Sequence, residues 1–259
     1  MTASAPFTVL RHLRSCLLVL LALLLPGWAP SGLEGQARTS DPAAAPETPR
    51  MAAGGALALA QPRGEFNDYV GLGFGLHGSF RWNLVQDGVL AIRVQGAVLN
   101  YGNETRRVCL SETVGCRIQV DLTTSNNILL LGVGPEVGIP VGGGRLYGNA
   151  GVGLGYFSTD SRIQGLQDHE SQFQTRNYSD GGFAWNAGAG IEYPLGRVQR
   201  YPVAIDFGLS HQENGRRDYL TEGGIIDGPD GSIQFDARRS QANFLLWRLG
   251  VSVGIPHGG

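Results

Sequence analysis

Gly182-Phe183-Ala184-Trp185-Asn186-Ala187-Gly188-Ala189-Gly190-Ile191-Glu192-Tyr193 puts two different surfaces on one short stretch. Phe183, Trp185, Ala187, Ala189, Ile191 and Tyr193 fall on one parity; Ala184, Asn186, Gly188, Gly190 and Glu192 fall on the other. In a strand, parity is face. One face is apolar and aromatic, and the other is small and polar. A soluble sheet buries its large residues and leaves an ordinary polar face to water. Here the polar parity is too small for that, and the pattern recurs along the chain. The combination fits a barrel whose outside meets lipid and whose inside is narrow and polar.

Composition points the same way. The chain has 40 glycines in 259 residues, about twice average usage. Glycine is a poor strand former, so the excess needs a reason. Close packing inside a narrow barrel supplies one. A net charge of −2 leaves no electrostatic footprint for nucleic acid. All 20 basic residues are Arg. Codon bias is the simpler account; Arg forks on lumen carboxylates or on lipid phosphates are the functional one.

The N-terminus reads as an export signal. Arg11, His12 and Arg14 precede an apolar run from Cys16 to Leu25, which Pro26 and Gly27 end. This is a basic segment followed by a short apolar core, well under the roughly twenty residues of a membrane-spanning helix. Residues 1–37 are the expected signal peptide, cut after Ala37 or near Ala29. Cys16 opens the apolar run instead of closing it, which argues against a lipoprotein anchor. Residues 38–50, rich in Pro, Ala, Ser and Thr, read as a flexible linker. An exported chain without an anchoring helix is soluble or a membrane barrel.

Eight strands are predicted within a barrel domain spanning 51–256, with a short tail at 257–259. They run over 52–61, 69–82, 89–101, 127–139, 145–157, 182–193, 202–211 and 241–255. In the second, Val70, Leu72, Phe74, Leu76, Phe80 and Trp82 oppose Gly71, Gly73, Gly75, His77, Ser79 and Arg81. In the last, Leu245, Trp247, Leu249, Val251, Val253 and Ile255 oppose Arg248, Gly250, Ser252 and Gly254. Connections at 83–88, 140–144 and 194–201 are short; those at 102–126, 158–181 and 212–240 are long and polar. Transmembrane barrels alternate short periplasmic turns with long external loops in this way. Trp82, Tyr193 and Tyr201 near the short turns, and Tyr101, Tyr156, Trp185 and Phe244 near the long loops, predict two aromatic girdles.

With segments such as Gly148-Asn149-Ala150-Gly151-Val152-Gly153-Leu154-Gly155-Tyr156, the chain resembles the outer-membrane protein A-like family of eight-stranded barrels. The resemblance covers roughly residues 51 to 256 and implies an all-β, antiparallel, up-and-down transmembrane barrel. It also implies an outer-membrane location in a Gram-negative-type envelope, contact with outer-membrane lipid and lipopolysaccharide, and delivery by the barrel assembly machinery. The family's final strand usually ends in an aromatic residue; here it ends Ile255-Pro256-His257-Gly258-Gly259. No peptidoglycan-binding domain is read, so cell-wall tethering is not expected.

Inward parity collects Arg81, Arg93 and Arg248 with Glu136, Glu192 and Asp206. Buried charges persist when paired and hydrogen-bonded, so these six are expected to form a polar plug that fixes strand register. A gated ion path is the lesser alternative, because eight strands leave an interior just wide enough for side chains. His77 and Ser79 share a face, the minimum for acyl transfer with an acid, but the register turns both into the lumen. Cys109 and Cys116 lie in one long loop and are expected to pair in an oxidising compartment. Asp227-Gly228-Pro229-Asp230-Gly231-Ser232 resembles a fragment of a calcium loop and reads better as a tight turn at a hairpin tip. No cofactor and no catalytic role are expected, and no external ligand is named. The expectation is a structural or surface-interaction barrel. The alternatives are a soluble secreted barrel carrying an apolar ligand and a lipid A-modifying hydrolase.

Overall fold

The computed structural model describes residues 49–85, 87–109, 119–165, 171–221, 223–227 and 233–256. The expected signal peptide and most of the linker lie outside these residues, as does the tail. In chain order the strands are β1 Met51–Arg63, β2 Gly73–Asn83, β3 Leu90–Cys109 and β4 Gln119–Val141. β5 Gly144–Gly165, β6 Ser171–Val198 and β7 Tyr201–Glu213 follow. Four short strands come next: β8 Arg216–Tyr219, β9 Ile225–Asp227, β10 Ile233–Phe235 and β11 Arg238–Gln241. β12, Asn243–Ile255, is last.

Eight of these close into a barrel in the order β1-β12-β7-β6-β5-β4-β3-β2, each antiparallel to its neighbours. Closure is made by β1 and β12, paired from Met51↔Ile255 to Arg63↔Asn243. The predicted eight-stranded up-and-down barrel is the fold found. Among the described residues no helix is long and apolar enough to cross a membrane. The closed strand ladder leaves no unpaired edge, as a membrane-spanning barrel requires.

Glycine has two separable uses. Gly142 and Gly143, with φ of 56° and 84°, form the two-residue turn between the paired residues Val141 and Gly144. Positive φ at both centres is what a type I′ hairpin turn requires. Inside the wall the need is proximity. A Cβ on Gly153 would strike the carbonyl oxygen of Leu131, and one on Gly250 that of Gly55. Strongly coiled strands in a narrow barrel bring backbones this close, which accounts for part of the glycine excess.

The structure departs from the sequence reading in the long connections. β3 and β4 stay paired from Gly102↔Asn126 to Cys109↔Gln119, and β5 and β6 from Ser158↔Ser179 to Gln164↔Ser171. Much of the predicted loop at 102–126 and 158–181 is therefore strand. Four strands continue past the barrel body as one sheet, so the wall is tall on the β3–β6 side. Here the parity that is apolar in the barrel body is polar, while Leu122, Ile163 and Phe173 stand in register on the other parity. The hydrophobic alternation that marks a membrane crossing disappears, while the hydrogen-bonded ladder does not.

The predicted second strand also starts late. Gly64–Asp68 is a short 3-10 helix, and β2 begins at Gly73. In the last long connection β8 pairs with β11 and β9 with β10. The β9–β10 pairing flanks residues 228–232, which lie outside the described residues.

Candidate functional site

Large apolar side chains face outward. Phe74, Leu76, Leu131, Val152, Leu154, Phe183 and Leu249 are all more than half exposed. This belt would aggregate in water and belongs in a bilayer, which removes the soluble-carrier alternative. Trp82 and Tyr193 are exposed near the short turns, and Tyr69 and Trp185 near the long connections. Tyr101 and Phe244 are not girdle residues: both are buried inside the barrel.

The lumen is layered. Nearest the short turns is a layer of charge. Glu136, fully buried on β4, accepts from three arginines. Arg93 Nη1 donates to its Oε2 at 2.7 Å; Arg145 Nη1 and Arg81 Nη1 donate to its Oε1 at 2.7 and 3.4 Å. Arg81 Nη1 also reaches both oxygens of Glu192, at 2.8 and 2.7 Å, and Arg145 Nη1 reaches Glu192 Oε2 at 3.3 Å. Tyr147 donates to Asp206 Oδ1 at 2.6 Å, and Arg93 Nη2 lies 3.9 Å from Asp206 Oδ2. The guanidinium groups of Arg93 and Arg145 stand 5.2 and 5.7 Å from the Tyr147 ring centroid, within cation–π range.

Five of the six expected lumen charges meet in this layer. Arg248 is buried too, one layer further in. There its Nη1 donates to His77 Nε2 at 3.3 Å and Gln95 Oε1 at 3.4 Å, and it forms no ion pair among the described residues. Arg145 was missed by the sequence reading. Its parity was available, since it alternates with Leu146 and shares a face with Tyr147 and Asn149. Glycines vacate the space these side chains fill: a Cβ on Gly138 would overlap the Arg145 guanidinium, and one on Gly190 the Tyr147 hydroxyl.

Nearest the long connections the lumen is apolar, against the expectation of a uniformly polar interior. Phe66, carried in by the 3-10 helix, packs edge-on against Tyr219 with ring centroids 5.1 Å apart. Tyr101 and Phe157 each lie 6.1 Å from Phe66, and Phe244 lies 6.4 Å away. Leu99, Ile128, Leu130 and Leu246 are buried in the same cluster. The two tyrosine hydroxyls are satisfied, Tyr101 on the Leu220 carbonyl at 3.2 Å and Tyr219 with Ser240 Oγ at 2.7 Å. At the opposite mouth a cavity of about 600 Å³ opens among the short turns, with Arg81, Arg145 and Glu192 in its lining.

The chemistry weighed for catalysis is not assembled. His77 is buried in the lumen, and Ser79 shares its parity. One His–acid pair does face outward, His211 Nε2 with Glu213 Oε2 at 3.2 Å. The residues in register with His211 are Ala187 and Leu245, neither of which is a nucleophile. Cys116 and the Cys109 side chain lie outside the described residues.

A closed antiparallel barrel with a lipid-facing belt and a lumen lined by buried polar and aromatic side chains defines an integral outer-membrane barrel protein. The chain belongs to the outer membrane protein beta-barrel domain family, which it matches over residues 37–224, and the outer membrane is its location. It is similar in fold to Neisserial surface protein A, at 12% identity and a TM-score of 0.45, covering 79% of this chain and 97% of that one. The attachment invasion locus protein Ail of Yersinia pestis, solved with the heparin analogue sucrose octasulfate, is 14% identical with a TM-score of 0.42. That match covers 80% of this chain and 97% of Ail. OprG of Pseudomonas aeruginosa is 12% identical with a TM-score of 0.43, covering 82% and 98%. No curated protein sequence matches the chain.

Proposed function

We propose that the protein is a structural and surface-interacting barrel whose lumen is closed to through-flow. The stacking of two dissimilar seals carries this reading: the Arg–Glu–Asp–Tyr layer around Glu136 and the aromatic layer around Phe66. Either alone fills an eight-stranded interior, which is about side-chain width. The charge network of Arg81, Arg93, Glu136, Glu192, Asp206 and Arg248, joined by Arg145, holds strand register. A one-residue slip of any strand would turn its charge into lipid.

In this reading the short turns and both chain ends face the periplasm, and the long connections face outward. Residues 1–37 direct export, 38–50 form a linker, and β12 is the strand offered to the barrel assembly machinery. Cys109 and Cys116 form a bridge in the exposed hairpin. The barrel has no catalytic role: the lumen-facing His77 and Ser79 are out of reach of lipid, and the outward His211–Glu213 pair lacks a nucleophile.

Single-channel recording in planar bilayers is the test. Purified monomer is expected to give no stable conductance. Brief openings would reflect transient rearrangement of the network. Long-lived, porin-sized openings would replace the structural reading with a porin.

A further inference from the structure

The tall wall carries its own chemistry on its outward face. The apolar belt there ends at Val98, Leu129 and Tyr156. Immediately beyond, three cross-strand rows stand in register. The first is Asn100, Asn127, Ser158 and Ser179; the second is Asn103, Ser125, Asp160 and Arg176. Thr105, Thr123 and Arg162 belong to the third. The rows are stitched sideways, Asn100 Nδ2 to Asn127 Oδ1 at 3.1 Å, Ser125 Oγ to Asn103 Oδ1 at 2.6 Å, and Thr105 with Thr123 at 3.1 Å.

We infer that this face is a docking surface for the phosphorylated saccharide headgroup of outer-leaflet lipopolysaccharide, with Arg176 and Arg162 as its phosphate-binding side chains. The inference rests on the proposed orientation, in which the long connections face outward. Three observations carry it. The face is continuous with the lipid-facing surface, so whatever lies directly above the acyl chains touches it. Apart from the buried Ser158, its uncharged members are amides and hydroxyls, the groups that exchange hydrogen bonds with sugars.

The third observation is the placing of Arg176. Its Cα lies four residues beyond Tyr156 by register, about 13 Å along the strand. The side chain folds back so that its guanidinium stands 5.7 Å from the Tyr156 ring centroid. Arg176 Nε donates to Asp160 Oδ1 at 3.2 Å, and Nη1 donates to the Tyr156 hydroxyl at 3.2 Å. Tyrosine at a belt edge marks headgroup depth, so the guanidinium is held where lipid phosphates lie. Its Nη2 has no partner among the described residues, and the side chain remains 58% exposed. One row higher, Arg162 is exposed with no polar partner among the described residues. In these three rows two guanidinium groups face one carboxylate, that of Asp160, and the next row pairs Arg107 with Asp121 in register, so the patch stays cationic; guanidinium forks match phosphate geometry.

The test uses the full chain folded into phosphatidylcholine vesicles containing either bisphosphorylated lipid A or its dephosphorylated form. The readout is the temperature at which the folded, faster-migrating gel band is lost. Bisphosphorylated lipid A is expected to raise that temperature for the native protein, and dephosphorylated lipid A to raise it much less. The R162Q/R176Q variant is expected to lose most of the rise. Should the double variant not fold, R162Q alone is expected to lose part of it. An undiminished rise in whichever variant folds, or an equal rise with dephosphorylated lipid, overturns the inference. Lipid A occupies both leaflets of such vesicles, so this result does not depend on orientation. Protease accessibility of the long connections on whole cells tests orientation separately.

Discussion

Replacing Glu136 with Gln removes one charge from the centre of the lumen while keeping its shape. Glu136 is 0% exposed and takes two arginine contacts at 2.7 Å and a third at 3.4 Å. At an effective dielectric near 20, each unit-charge pair at ~4 Å is worth about 4 kcal/mol before desolvation is subtracted. Removing one partner of a buried pair costs roughly 3–5 kcal/mol, because the remaining charges stay buried. Here three guanidinium groups would face an amide, so the loss should fall in that range, about 3–5 kcal/mol.

The assay is reversible urea unfolding in lipid vesicles, followed by tryptophan fluorescence. E104Q is the comparison: it removes a carboxylate from a partly exposed ion pair, Glu104 Oε1 to Arg106 Nε at 2.6 Å. That change is expected to cost less than about 1 kcal/mol. If E136Q loses no more stability than E104Q, the lumen charges are bathed in water, and the argument for a closed interior fails.

Val152 is 54% exposed in the belt, and V152R should cost roughly 2–4 kcal/mol if it lies near the bilayer midplane; a negligible loss in the same titration would contradict the lipid-facing assignment. A Cβ on Gly208 would lie 2.7 Å from Arg248 Nη2 and 3.0 Å from the Tyr147 hydroxyl. G208A is therefore expected to destabilise by about 1–3 kcal/mol through overpacking, whereas G55A, where nothing lies within 4 Å of the added Cβ, should not. For Cys109 and Cys116 the expected product is a bridged pair, and intact mass after thiol blocking that shows both alkylated in the assembled protein would rule it out.

The wall was legible in the sequence because lipid on one side and a tight lumen on the other impose opposite residue types on successive positions. That is why Gly182–Tyr193 alone suffices to place a strand and its faces. The aromatic layer was not legible because it breaks that rule. Ile128-Leu129-Leu130-Leu131 reads as one apolar run, yet Leu129 and Leu131 are exposed to lipid while Ile128 and Leu130 are buried within. Val98-Leu99 and Leu245-Leu246-Trp247 show the same loss of alternation. Such runs at one end of several strands are the trace an apolar lumen layer leaves. Phe66 had no signal of this kind, because it enters from a connection and its partners are set by tertiary packing. The lumen charges were found by parity, and Arg145 was overlooked only at the first residues of its strand, where periodicity has least support.

The order of the two layers follows from what each needs. A cluster of three arginines and three carboxylates gains most where water is scarce, since pairing strengthens as the local dielectric falls. The aromatic layer separates that cluster from the long-connection end. In return the charges do what the aromatic layer cannot. Phe66, Tyr219 and their neighbours tolerate small shifts against one another, because dispersion contacts have little directional preference. The contact of Arg81 Nη1 with both oxygens of Glu192 and the three-way hold on Glu136 tie β2, β3, β4, β5 and β6 at fixed heights. The charge layer depends on glycine opposite the bulky group, at Gly138, Gly190 and Gly208. The glycine excess that first suggested a narrow barrel thus also makes room for the bulky side chains of the charge layer.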